Sequence, residues 1–170
     1  MKRLTLMRHA DAQWKDPDIA DFARPLNRRG VAEAQSMGRR LAELQLIPDR
    51  LMTSPARRTR QTSDIVARQL ALAARQVRHE EALYLAGARD ILKIVRTTGP
   101  RVRHLMIIGH NPGISELVRL LAAEHGVGEL TTGAMCSLAF STEKWSIAAP
   151  ALVTEVQSEA PQSSLFGLWA

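Results

Sequence analysis

The chain has 170 residues, 45% of them hydrophobic, which suffices for one core of two or three layers. Its 23 Lys and Arg against 17 Asp and Glu give a formal charge of +6, and the excess is localised: residues 1 to 110 hold 21 basic and 11 acidic side chains, residues 111 to 170 hold 2 and 6. A lone Cys136 excludes an intramolecular disulfide or a cysteine-pair metal site. The opening MKRLTLMRHADAQ is broken at Arg8 too early for a secretion signal, and no apolar stretch nears the roughly 20 residues that cross a bilayer, so a cytoplasmic protein without membrane partners is expected.

In chain order, Arg3 to Met7 is short, apolar-rich and ended by a turn signal, which predicts a strand. Asn27 can cap a helix on which Val31, Ala34, Met37, Leu41 and Leu44 recur at helical spacing before Pro48 ends it. Arg50 to Thr53 predicts a second strand, followed by a helix over Ala56 to Leu72 with Ile65, Gln69 and Leu72 on one side. A short strand over Gln76 to His79 precedes a third helix, Ala88 to Thr97, and a strand at Arg103 to Gly109. Behind Pro112, Ile114, Leu117, Leu120 and Leu121 predict an amphipathic helix over Gly113 to Glu124. Two more strands are expected at Ala134 to Ser141 and Leu152 to Val156. This alternation predicts an α/β three-layer sandwich, a mostly parallel sheet flanked by helices. It forms a single domain over residues 1–160, with a tail over 161–170 whose apolar end runs from Leu165 to Trp169.

Ligands of open α/β sheets bind beyond the carboxyl ends of the strands. After the first predicted strand stand Arg8 and His9; after the second, Ser54 to Thr62 with Arg57, Arg58 and Arg60; at the end of the fourth, Gly109, His110 and Asn111. Each alone has a bland explanation: a strand end, a solvated helix face, a capping histidine. Together, two histidines and several guanidinium groups at one edge repel one another unless an anion sits among them. Nineteen of the 23 basic residues are Arg, the side chain suited to bidentate oxyanion contact, so phosphate in some form is the expected ligand.

The Arg8-His9 pair, the run Ser54-Pro55-x-x-Arg58-x-x-Gln61-Thr62 and the Gly109-His110 pair resemble the histidine phosphatase superfamily in order and spacing. Arg8-His9-Ala10, with Asp21-x-x-Arg24-Pro25-Leu26-Asn27-x-x-Gly30, is similar to its short SixA-type branch. The resemblance implies a phosphoglycerate mutase-like fold and a phosphatase in which His9 accepts the phosphoryl group. Arg8, Arg58 and His110 would line the phosphoryl oxygens, and no metal or other cofactor is called for. Neutral imidazole attacks, and neighbouring guanidinium charge favours the neutral form. The implied substrate is phosphohistidine on a protein, with inorganic phosphate as product.

One part of the family pattern has no clean match. Glu81, in Glu81-Ala-Leu-Tyr84 after the short strand, is the candidate general acid, with a surface carboxylate as its alternative and Asp11 as a second choice. Asn111 and Ser54 could contact phosphate or shape their turns, and Trp14 is expected near the pocket entrance. His79, His104 and His125 show no metal-ligand spacing and are read as surface or strand-end residues. Two alternatives stay open: a phosphatase of a small phosphorylated metabolite, in which Glu81 would matter more, and a non-catalytic module binding phosphoprotein or nucleic acid through the arginine-rich helix. Nucleic acid is not the expected partner, because the two histidines and Gln61-Thr62 would then be unexplained.

Overall fold

A computed structural model describes residues 1–162. Positions 163–170, and with them the apolar end Leu165 to Trp169, lie outside the described residues. Six strands form one sheet in the order β3-β2-β4-β1-β5-β6: β1 Lys2–Arg8, β2 Arg50–Thr53, β3 Val77–His79, β4 His104–Gly109, β5 Met135–Phe140 and β6 Val153–Glu159. The pairs β3–β2, β2–β4 and β4–β1 are parallel, whereas β5 and β6 add antiparallel pairs.

Four helices cover the sheet: α1 Arg28–Glu43, α2 Arg57–Gln69, α3 Ala88–Arg96 and α4 Gly113–Leu121. Strand β4 shows how the layers arise, since successive side chains leave a strand on opposite faces. Leu105 and Ile107 join Ile91, Val95, Leu117 and Val118 of α3 and α4. Met106 and Ile108 join Met37, Leu41 and Val66 of α1 and α2. A strand covered on both faces reads as a continuous apolar run, as HLMIIG does.

The cap of α1 forms as expected, Asn27 Oδ1 accepting from Gly30 N at 2.8 Å. Gly30 also lets α1 press on the segment behind β1, for a Cβ there would lie 1.9 Å from the Asp11 carbonyl oxygen. Gly30→Ala is therefore expected to destabilise the fold by about 1–3 kcal/mol, the usual range for overpacking, measured by urea denaturation. Unchanged stability would contradict this contact.

The inward face of α2 differs from the apolar stripe expected for it. Arg58, Thr59, Thr62, Ser63 and Val66 are buried, while Gln69 is exposed and Ile65 only partly covered. Thr59 and Thr62 turn inward with their hydroxyls bonded, Thr59 Oγ1 donating to Ser54 O at 2.8 Å and Ala56 O at 2.7 Å and Thr62 Oγ1 to Arg58 O at 2.8 Å, whereas the buried Ser63 Oγ has no partner among the described residues. Helix α4 ends at Leu121, a separate short turn following over Ala123–His125.

Candidate active site

Strand register brings the candidate residues together. Arg8 pairs with Gly109 and Thr53 with Ile108, so the next residues, His9, His110 and Ser54, leave the sheet side by side. The backbone continues the ladder one step: His9 N donates to Gly109 O at 3.1 Å and Ser54 N to Ile108 O at 3.2 Å. Helix α2 starts immediately behind Ser54 and carries Arg58 underneath. Its side chain is 2% exposed, and Nε donates to His9 Nε2 at 3.3 Å while Nη2 donates to His110 Nδ1 at 3.2 Å. The two imidazoles meet edge to face, centroids 5.4 Å apart.

These partners fix the proton positions. A carbonyl oxygen only accepts, so His9 Nδ1, 2.8 Å from Ala10 O, carries the proton and Nε2 keeps a lone pair. A guanidinium only donates, so His110 Nδ1 accepts, and its protonated Nε2 donates to Ser54 Oγ at 2.7 Å. Burial, opposed by the Ala10 carbonyl and reinforced by Arg58 and Arg8, lowers the His9 pKa to about 4. Burial, then Arg58 and His9, lowers that of His110 to about 3. Both rings are thus neutral near neutral pH.

His104, bonded to Thr5 Oγ1 and the Ile47 carbonyl, is also lowered to about 4, chiefly by burial. Unfolding restores an ordinary value of 6.5 to all three histidines, so below it the unfolded chain binds protons that the folded chain refuses. Their contribution to stability is full above that value and is lost as pH falls toward about 4, at up to about 1.4 kcal/mol per pH unit for each histidine. Urea denaturation across this window is expected to show several kcal/mol lost; a flat profile would contradict the burial of neutral imidazoles.

A family model described as the histidine phosphatase superfamily (branch 1) matches residues 4–84. An uncharacterized protein of Mycobacterium tuberculosis is 34% identical over 120 residues, which cover 71% of this chain and 72% of that protein. The chain belongs to the histidine phosphatase superfamily. Within it, the architecture is of the SixA type. A structure from Agrobacterium tumefaciens designated a phosphohistidine phosphatase SixA aligns with TM-score 0.78 at 25% identity, covering 94% of this chain and 98% of that one. One of the same designation from Nakamurella multipartitia aligns with TM-score 0.78 at 28% identity, covering 95% and 97%. A mycobacterial glucosyl-3-phosphoglycerate phosphatase shares the fold at TM-score 0.60 and 15% identity, covering 94% and 98%. An uncharacterized chloroplastic protein of Arabidopsis thaliana is 30% identical over 129 residues; these cover 71% of this chain but only 59% of that relative's length.

The other motif residues of this superfamily member surround and support this buried cluster. Arg8 is anchored through Nη1 to Leu130 O at 3.2 Å, and its buried Nε has no partner among the described residues, which leaves a donor for an oxyanion. Gln61 and Thr62 hold the frame: Gln61 Oε1 accepts from Leu26 N at 2.8 Å, and Thr62 Oγ1 accepts from Ala10 N at 3.1 Å, just behind the nucleophile candidate. The Trp14 ring lies 5.9 Å from the Arg58 guanidinium carbon and 5.2 Å from that of Arg24.

Other candidates are engaged elsewhere. Asn111 spends its amide on the turn, donating to Leu130 O at 3.0 Å and accepting from Ser115 Oγ at 2.8 Å. Asp11 accepts from Asn27 Nδ2 at 2.9 Å, at the cap of α1. Glu81 is exposed on a short turn, and its carboxylate bonds to none of His9, Arg58 or His110. The carboxylate joined to this group is Asp21, quoted above only within a motif. Its Oδ2 accepts from Arg58 Nη2 at 3.1 Å and from the Tyr84 hydroxyl at 2.6 Å, and its carbonyl accepts from Arg58 Nη1 at 2.7 Å. Tyr84 packs edge to face on His110 at 5.5 Å. Asp21 opens a single 3-10 turn, Asp21–Ala23, with no hydrophobic period to announce it, and Tyr84 closes the turn that Glu81 begins.

Proposed function

We propose that the protein is a metal-independent phosphohistidine phosphatase of the cytoplasm that acts on phosphorylated proteins through a covalent phospho-His9 intermediate. The observation that carries this reading is the tautomer of His9: Nδ1–H is tied to a backbone carbonyl and the unprotonated Nε2 faces the buried Arg58. In this reading, substrate phosphoryl oxygens replace the imidazole nitrogens as acceptors of Arg58 and take up the spare donor of Arg8. The Nε2 lone pair then attacks phosphorus. Donors placed around the transferred group stabilise its charge, which is most of what phosphoryl transfer asks of a protein. Water next hydrolyses phospho-His9, releasing inorganic phosphate.

A protein substrate is supported by the SixA neighbours and by the exposed Trp14 and Phe22 beside the site, apolar groups that a folded partner can cover. The fold shared with a glucosyl-3-phosphoglycerate phosphatase keeps a small phosphorylated metabolite as the second reading. A nucleic-acid module is disfavoured, since Arg58 is turned inward onto two histidines rather than outward with Arg57 and Arg60.

The test is phosphate release from a phosphohistidine-bearing phosphotransfer domain and from 4-nitrophenyl phosphate, without added metal. Preference for the phosphoprotein is expected. Turnover of the small ester alone would favour the metabolite reading, and turnover of neither would overturn both.

A further inference from the structure

We propose that Asp21 is the proton-transfer carboxylate of this site, protonating the leaving atom of the substrate and then taking a proton from the water that hydrolyses phospho-His9. This rests on the phosphatase reading and adds to it the acid that the family motif leaves unassigned. Three observations carry it.

The first is connectivity. Asp21 Oδ2 is 3.1 Å from Arg58 Nη2, and the same guanidinium reaches His9 Nε2 through Nε at 3.3 Å and His110 Nδ1 through Nη2 at 3.2 Å. Among the described residues, Asp21 is the carboxylate in hydrogen-bond contact with this group.

The second is orientation relative to solvent. Arg58 is 2% exposed and the Asp21 side chain 43%, so the carboxylate stands on the open side of the guanidinium that the nucleophile faces from within. In an in-line displacement the leaving atom departs on the side opposite His9, toward solvent, and the hydrolytic water later arrives by the same side.

The third is electrostatic. The groups that face Asp21 are Arg58, Tyr84, His110 and His9. Burial pushes its carboxyl upward, but hydrogen bonds from Tyr84 and Arg58 outweigh this and hold it below its ordinary value, ionised in the free protein. A phosphoryl group bound at Arg58 draws on the same donors and adds negative charge beside the carboxylate. Both effects favour its protonated form once substrate is present. A carboxyl ionised when the site is free and protonated when it is loaded suits an acid that must next act as a base.

The steps balance. His9 Nε2 forms a bond to phosphorus as the bond to the leaving nitrogen or oxygen breaks, and the pair left on that atom takes the Asp21 proton. Water then bonds to phosphorus and gives a proton to the Asp21 carboxylate. The phosphorus–Nε2 bond breaks, its pair returns to His9, and phosphate leaves.

The experiment compares wild type with Asp21→Asn, which keeps the hydrogen-bonding shape without the acid, over aryl and alkyl phosphates of rising leaving-group pKa. Because kcat/KM reports the first transfer, its loss is expected to grow along the series. It should be about tenfold for 4-nitrophenyl phosphate and on the order of 10²–10⁴ for an alkyl phosphate, the range of general acid catalysis. At saturating alkyl phosphate the wild-type kcat should fall at high pH as Asp21 loses its proton, and this limb should be missing in the variant. Tyr84→Phe removes a hydrogen bond that favours the charged carboxylate, so it should move the limb to higher pH. An equal loss across the series with the limb intact would overturn the proposal, reducing Asp21 to a residue that positions Arg58. Full turnover in His9→Ala would instead remove the phospho-His9 intermediate on which the proposal rests.

Discussion

His9→Ala is expected to lower phosphatase turnover by a factor on the order of 10⁴–10⁶, as removal of a nucleophile does in other covalent enzymes. His110 also holds its lone-pair nitrogen against Arg58, but through Nδ1, with its Nε2–H donated to Ser54 Oγ, so the variant separates the two imidazoles. The variant should stay folded, because the backbone of His9 rather than its ring continues the sheet, through Gly109 O and Gly133 N. Steady-state kinetics on 4-nitrophenyl phosphate, with circular dichroism as a control for folding, measures the effect. Retention of more than a tenth of the activity would eliminate His9 as nucleophile.

Arg58→Ala is expected to cost about 10²–10³ in kcat, the usual loss when one preorganised donor to developing charge is removed. Arg58→Lys should recover little of it, because one ammonium cannot reach His9, His110 and Asp21 in the directions the planar guanidinium serves. The pH profile should change as well. His9 and His110 are lowered first by burial, but Arg58 adds to both shifts by repelling their protonated forms. Without that charge both pKa values rise toward ordinary histidine. The acid limb of kcat/KM, which reflects loss of neutral His9, should therefore move to higher pH in Arg58→Ala. A limb that stays in place would show that Arg58 does not act on the nucleophile's charge.

The edge of the sheet was legible because it rests on short-range patterns. Strand ends at Arg8, Thr53 and Gly109, each followed by a polar or cationic residue, suffice to put His9, Ser54 and His110 at one rim once the strands are parallel. What pattern alone missed depends on partners distant in sequence. The inward face of α2 reads as solvent-facing because apolar periodicity gives no weight to Arg58, Thr59 and Thr62, whose burial is compensated by bonds to Asp21, Ser54 and Ala10. The sequence offers Glu81 as the acid, whereas the carboxylate bonded to Arg58, Asp21, opens a short 3-10 turn 37 residues before Arg58 in the chain. The Glu81 segment itself reaches the site through Tyr84, whose hydroxyl donates to Asp21.

The central claim is that phosphoryl groups pass through His9, and trapping the intermediate tests it most directly. The protein would be mixed with excess 4-nitrophenyl phosphate, quenched within milliseconds in alkali to preserve any phosphorus–nitrogen bond, digested and mapped by mass spectrometry. A phosphoryl group on the peptide carrying His9, formed at least as fast as turnover and absent in His9→Ala, is the expected result. Turnover with the phosphoryl group found on His110, or with no phosphoenzyme at any time, would contradict it.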